Sequence, residues 1–397
     1  MSKVEELLEK YNPEGVDNIP LWELTAWDKK FNAVDKSMQK KVIKYKYYLA
    51  KDLDALVDDT GDIRILYTNE KVAYTSEEKC KGNICEGEIV AIPWGGTPTV
   101  KYYNGKFVTG DNRIATSLDT KILNNKYLFY WMISQLGTIA DFYRGAGIQH
   151  PSMISVLSMQ IPLPHIKVQE EIVKILDSFT NLIDSLNEEL SLRQKQFEYY
   201  REKLLTFDES NYVKISSICK RIVSGGTPKT TIDRYYQGNI PWLRTEEVDF
   251  CYVYETKKHI SEEAIANSST KMIPVNCVII AMYGATAAKC CINKIPLCTN
   301  QACCNLEIDD TLALYKFVFY NICKEYEKLK SLGEGSQNNI SGQKIKDYRI
   351  PIPSLAIQQS IVEKLDAFES LISSLKEEIA LRQKQYEYYR EKLLTFD

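Results

Sequence analysis

The sequence lacks several things whose absence narrows its function. No run of about 18 apolar residues occurs, which argues against a membrane-spanning helix. The opening MSKVEELLEKYNPEG has no basic-then-apolar secretory layout, so a cytoplasmic location is expected. There is no GxxxxGK[ST] loop, no GxGxxG after a strand and no NPPY-type amino-methyltransferase motif, which removes the usual phosphate- and cofactor-binding signatures. Charge of one sign is missing too. With 50 basic and 53 acidic residues the net charge is −3, so binding DNA by bulk basicity is excluded. Any nucleic-acid surface must group its cations on one face or rely on a partner. Histidine is scarce, with only His150, His165 and His259.

Cysteine, by contrast, is plentiful. The 11 residues are an odd number and form no CxxC pair, which argues against a complete disulfide framework and weakens a zinc site. Nine lie beyond residue 210: Cys219, Cys251, Cys277, Cys290, Cys291, Cys298, Cys303, Cys304 and Cys323. Reduced core thiols are the expectation, with a metal site as the alternative.

What the sequence does contain is an internal repeat. LIDSLNEELSLRQKQFEYYREKLLTFD (182–208) returns nearly unchanged as LISSLKEEIALRQKQYEYYREKLLTFD (371–397). The same offset pairs IPLPHIKVQEEIVKILDSF (161–179) with IPIPSLAIQQSIVEKLDAF (350–368), aligning Gln169 with Gln358. It also pairs EIVAIPWGGT (88–97) with CVIIAMYGAT (277–286), placing Trp94 over Tyr283. The helical ends nearly match while the roughly 150 residues before each have drifted, so a frame is held constant while two globular parts differ.

The matching ends carry an apolar stripe in steps of four and three. It runs Ile172, Leu176, Phe179, Ile183, Leu186, Leu190, Arg193, Phe197, Tyr200 and Leu204 in the first copy. In the second it runs Ile361, Leu365, Phe368, Ile372, Leu375, Ile379, Arg382, Tyr386, Tyr389 and Leu393. A 3.5-residue period without Gly or Pro predicts two long coiled-coil helices of about 57 Å each. Arg193 and Arg382 are the polar seam positions: either they fix register or they reach to solvent. Neither stripe can stay exposed. Antiparallel pairing of the two helices is the simplest solution, and a parallel homodimer is the alternative. The N-terminal VEELLEKY (4–11) resembles the EKLLTF ends and could lead into the first domain in the same way.

The drifted parts read as mixed α/β, with strands such as Glu88–Ile92 and Val275–Met282 and helices such as Asn125–Leu136 and Ala313–Lys330. The fold class is therefore α+β, with two mixed α/β domains related by pseudo-twofold symmetry and joined by the long helices. Residues 1–165 form the first domain with its short helix, 166–207 the first long helix, 208–353 the second domain and 354–397 the second long helix. Basic residues interleave with aromatics in both domains, a pattern that supplies phosphate contacts and base-edge readers. In the first domain the candidates are Lys44, Lys46, Tyr47, Lys101, Tyr102, Arg144, Gln149 and His150. In the second they are Lys229, Arg234, Tyr235, Arg244, Gln337, Asn338 and Asn339. Any single cluster also reads as an ordinary solvated loop. The loops GIQH (147–150) and GSQNN (335–339), each shortly before an IPxP, are the strongest candidates, because glycine admits close approach and amides can pair with adenine.

Catalysis finds no duplicated constellation. His150 and His259 have no counterparts, and Cys277, Cys290, Cys291, Cys303 and Cys304 face Glu88, Lys101, Tyr102, Ile114 and Ala115 in the other copy. A duplicated metal site is thereby excluded, whereas a nuclease built from scattered carboxylates and lysines stays open.

Taken with SGGTP…YYQGNIPWLR (224–244) and the two IPxP…Q leads (Ile161–Gln169, Ile350–Gln358), the whole chain resembles the specificity subunit of type I restriction–modification systems. The first domain departs from that pattern, since its GGTP (95–98) lies elsewhere. The resemblance implies a non-catalytic chain reading a bipartite, asymmetric target in double-stranded DNA. Two methyltransferase subunits would carry S-adenosylmethionine, and two restriction subunits using ATP and Mg would be optional members. The chain itself would bind neither cofactor, and no metal ligands are expected. A coiled-coil adaptor without nucleic-acid binding is the competing reading.

Overall fold

The computed structural model describes residues 2–334 and 339–396, so Gln337 and Asn338 lie outside the described residues. The chain divides into two compact units, Met1–Asn187 with Glu378–Asp397, and Glu188–Glu377. The dividing points fall inside both long helices, Ile166–Leu204 and Leu355–Leu394.

The first unit is built on a six-stranded sheet. Its strand order is Thr25–Trp27, Asn112–Ser117, Cys85–Pro93, Lys101–Thr109, Ile63–Leu66 and Val72–Thr75. Every neighbouring pair is antiparallel except Lys101–Thr109 with Ile63–Leu66. The central strand is buried on both faces, because alternate side chains serve two cores. Val90 and Ile92 pack toward the helix Asn125–Ser134 and the start of the first long helix. Ile89 and Ala91 point the other way, against Phe107 and Ile114.

The second unit repeats this sheet. Cys219–Ser224, Cys303–Ile308, Val278–Ala281, Cys290–Asn293 and Cys251–Val253 follow in the same order, again antiparallel throughout except for the last pair. Val278 and Ile280 face the helix Tyr315–Lys324, while Ile279 and Ala281 face a separate core. The sequence pairing of 88–97 with 277–286 is therefore one residue out of phase at this strand. It sets Ile89 against Val278, which point to opposite faces, and a one-residue slip is all that such a reversal requires. What differs between the units lies outside the shared sheet. The first adds the edge strand Val72–Thr75. The second adds a four-stranded sheet ordered His259–Ile260, Ile240–Leu243, Leu297–Thr299, Met272–Ile273.

Both IPxP segments close their unit in the same way. Gln160–Pro162 pairs antiparallel with Asn18–Pro20, and Arg349–Pro351 with Tyr212–Lys214, burying Ile161 and Ile350 completely. The glutamine that follows each IPxP is fully buried and saturated. Gln169 accepts from the Asn124 amide at 2.9 Å and donates to the carbonyls of Ile122 and Pro164, both at 2.8 Å. Gln358 accepts from the Leu314 amide at 2.8 Å and donates to Leu312 at 3.2 Å and Pro353 at 2.8 Å. About two turns further on, Asp177 accepts from Tyr130 at 2.6 Å and pairs with Lys126 at 2.8 Å. Asp366 does the same with Tyr320 at 2.7 Å and Lys316 at 2.5 Å. These bonds tie each long helix to the shorter helix beside it, Asn125–Ser134 or Tyr315–Lys324, and to the loop that leads into that helix.

Most of the stripe along each long helix is covered, Tyr389 being exposed. Ile172, Leu176, Ile361, Leu365 and Leu375 are buried. Phe179, Ile183, Leu186, Leu190, Arg193, Phe197, Phe368, Ile372, Ile379, Arg382 and Tyr386 are half-buried. Within the first unit the beginning of the first helix meets the end of the second, with Phe179 stacked on Tyr389 at 5.3 Å between ring centres. Within the second unit the end of the first meets the beginning of the second, Tyr200 stacking on Phe368 at 5.4 Å. In each unit, therefore, the start of one long helix is covered by the end of the other within a single chain. Arg193 and Arg382 lie along their own helices, bonded to Glu189 at 3.3 Å and Glu378 at 2.7 Å, four residues back. Val4, Leu7 and Leu8 of the capped helix Lys3–Tyr11 join the first unit's core, as Leu204, Leu205 and Phe207 join the second's.

All 11 cysteines are free thiols, eight of them buried and three half-buried. Burial pushes the Cys219, Cys277 and Cys304 thiols up to about 12, which leaves them protonated and unreactive. Among the described residues no group of three or more His, Cys, Asp or Glu side chains is placed to hold a metal ion. No helix of the described residues is long and apolar enough to cross a membrane.

Candidate nucleic-acid interface

The GIQH loop of the first unit lies in a hairpin whose arms are Tyr143–Arg144 and His150–Pro151. It docks on the turn Trp94-Gly95-Gly96 that ends the central strand. The Gly96 amide donates to the Gln149 carbonyl at 3.3 Å, and His150 Nδ1 lies 2.7 Å from the Trp94 carbonyl oxygen. Gly96 takes φ +95°, a conformation open to glycine. A Cβ on Gly95 would come within 2.7 Å of the Ile148 side chain, so a larger residue here requires that side chain to shift. Beneath the turn, the Arg113 guanidinium lies 3.9 Å from the Trp94 ring centre. Arg113 also bonds Asp111 at 2.9 Å, and Lys29 bonds the same carboxylate at 2.9 Å. Burial would raise the Asp111 pKa, but these two cations outweigh it and hold the carboxyl below its ordinary value. Lys29 in turn sits 4.0 Å over the ring of Tyr47. A single network thus runs from Tyr47 through Lys29, Asp111, Arg113 and Trp94 to His150.

The second unit places Glu334, Asn339 and Ile340 in the corresponding position. Glu334 and Asn339 bridge each other with two 3.0 Å backbone bonds, and the Ile340 amide donates to the Met282 carbonyl at 2.8 Å. The turn that receives it, Tyr283-Gly284, again uses a glycine at positive φ, +80°.

The other candidates divide by exposure. Lys44, Lys46, Tyr47, Arg144, Gln149, His150, Lys229 and Arg234 are exposed; Lys46 reaches Asn83 at 3.1 Å and Arg234 grips Glu263 at 3.0 Å. Arg244 is half-buried and paired with Glu246. Lys101 turns inward: its ammonium bonds the carbonyls of Tyr67 and, at 2.6 Å, Asn69, and burial lowers its pKa to about 8. Tyr102, on the opposite face of the strand, donates to Glu88 at 2.7 Å. Tyr235 requires a correction. At 6% exposure it packs with Trp242, Ile260 and Cys298 under the four-stranded sheet and offers no surface to DNA. A basic–aromatic run does not reveal which of its members face inward.

Sequence reasoning missed Arg113, Asp111 and Lys29, which stand outside any basic–aromatic run and meet only in the folded sheet. Of a cleft lined by Arg64, Lys71, Lys101, Tyr102 and Phe129 it singled out only Lys101 and Tyr102. The Trp94-Gly95-Gly96 turn was the available signal for the first group, and the basic–aromatic pair Lys101-Tyr102 for the cleft.

Comparison with known proteins agrees with this architecture. Residues 13–192 and 208–381 each match the model of the type I restriction modification DNA specificity domain. The chain is 31% identical to the EcoR124I/EcoR124II type I restriction enzyme specificity subunit of Escherichia coli, over 100% of this chain and 97% of that one. It is 30% identical to a putative type I restriction enzyme specificity subunit of Haemophilus influenzae, over 81% of this chain and 86% of that one. Its fold is similar to the S subunit of a type I restriction-modification system from M. genitalium, with a TM-score of 0.65, 15% identity and 96% of each chain covered. Two copies of one sheet-and-helix frame, matched along the length of the chain, make this protein a member of the type I restriction–modification DNA specificity family.

Proposed function

We propose that the chain reads a bipartite, asymmetric sequence in double-stranded DNA, one half-site per unit, and carries two methyltransferase subunits without itself performing chemistry. The observation that carries this reading is the repeated frame: the same five-strand order and the same helix joints support two surfaces that differ from one another. Different surfaces on equal frames suit different half-sites, and the two long helices shared by both units suit a spacer of set length. The cofactors belong to the partners. S-adenosylmethionine sits with the methyltransferase, ATP and Mg with any restriction subunits, and this chain supplies no phosphate loop for either. The adaptor reading loses to family membership.

The experiment is reconstitution with the host's candidate adenine methyltransferase. Methyl transfer to DNA is expected only when both proteins are present, with no metal-dependent cleavage by this chain alone. A methyltransferase whose activity and site choice ignore the chain would refute the proposal.

A further inference from the structure

Two half-sites of different sequence share one constant component, the phosphodiester backbone. The backbone pairing at this point of each unit is shared, His150 and Asn339 each lying 11 residues before the isoleucine of IPxP, but its chemistry is not: His150 pairs with Arg144 in the first unit and Asn339 with Glu334 in the second. The edge strand of the first unit and the four-stranded sheet of the second are not shared.

The chemistry of the first hairpin matches an anion. Arg144 is exposed and has no acidic partner among the described residues. No Asp or Glu occurs from Phe142 to Gln169, so no carboxylate in this stretch repels a phosphate. Gly145 takes φ +143°, and the amides of Ala146 and Gly147 have no acceptor among the described residues. Free amides at a glycine-rich bend are available to donate to an anion. The seat is firm, because the Ser152 amide closes the base of the hairpin on the Phe142 carbonyl at 2.9 Å and Trp94 supports His150 from below.

We propose that Arg144 and the Ala146–Gly147 amides grip a backbone phosphate of the first half-site and position the unit, rather than read a base. This rests on the DNA-reading function proposed above. The test uses the full chain in complex with its methyltransferase, comparing wild type, Arg144→Ala and Arg144→Lys. Affinity would be measured against salt on cognate and unrelated duplexes, and the methylated motif mapped. Arg144→Ala should weaken both duplexes by a similar factor, reduce the slope of log K against log salt by about 0.9, and leave the motif unchanged. Arg144→Lys should restore most of the slope, which a general folding defect would not allow. A relaxed base in the first half-site would make the hairpin a base reader and overturn the proposal. Unchanged affinity and slope would overturn it as well. A wild-type complex without sequence preference would instead sink the underlying DNA-reading function, a result visible before any variant is made.

Discussion

Gln169 and Gln358 hold the residue-scale logic of the chain. Each is a fully buried amide with one backbone donor and two carbonyl acceptors around it. Replacing either by leucine strands those groups in a dry core, where unmet polar groups are costly. Gln169→Leu should lower stability by about 2–4 kcal/mol in chemical denaturation; a loss below about 0.5 kcal/mol would contradict this role. Asp28 adds a pH signature. It is 6% exposed, accepts from the Ile114 amide at 3.0 Å, and burial raises its pKa to about 6. The folded state therefore holds this proton more tightly than the unfolded chain, and stability falls as pH rises from about 4 to about 6. Asp28→Asn should flatten that segment and gain about 2 kcal/mol above pH 6; parallel stability–pH curves for the two proteins would refute the assignment. The repeat singled out the two glutamines, but their partners became visible only in the fold. Lys101 and Tyr235 show the limit at this scale. Both stand in basic–aromatic runs, and only the strand's alternation and the covering sheet turn them inward.

At the scale of elements, the long helices were the most legible part of the sequence, because a 3.5-residue stripe admits few structures. The shared sheet was less so. Its edge strands pair across long stretches of chain, Ser224 with Cys304 over 80 residues in one unit and Trp27 with Ala115 over 88 in the other. The four-stranded sheet went unread because its strands are two to four residues long. Arg193 and Arg382 rest on their own helices, half-exposed, and such pairs contribute little. Arg193→Ala should change stability by less than about 1 kcal/mol in thermal or denaturant unfolding, and a larger loss would point to a role in helix register. Removing seven residues from the first long helix shortens it by about 10 Å, or about three base pairs. The methylated motif should then change its spacer or disappear, and an unaltered spacer would contradict the helices' proposed role as a ruler.

At the scale of the whole molecule, a net charge of −3 accompanies two differing surfaces on one repeated frame. Such a chain is expected to bind DNA weakly alone and to depend on partners for many of its phosphate contacts. The most direct test of the central claim is genome-wide methylation mapping in the host with and without this chain. The account predicts a split, asymmetric motif that disappears when the chain is deleted. An identical methylation pattern in both strains, with an active methyltransferase present, would contradict it.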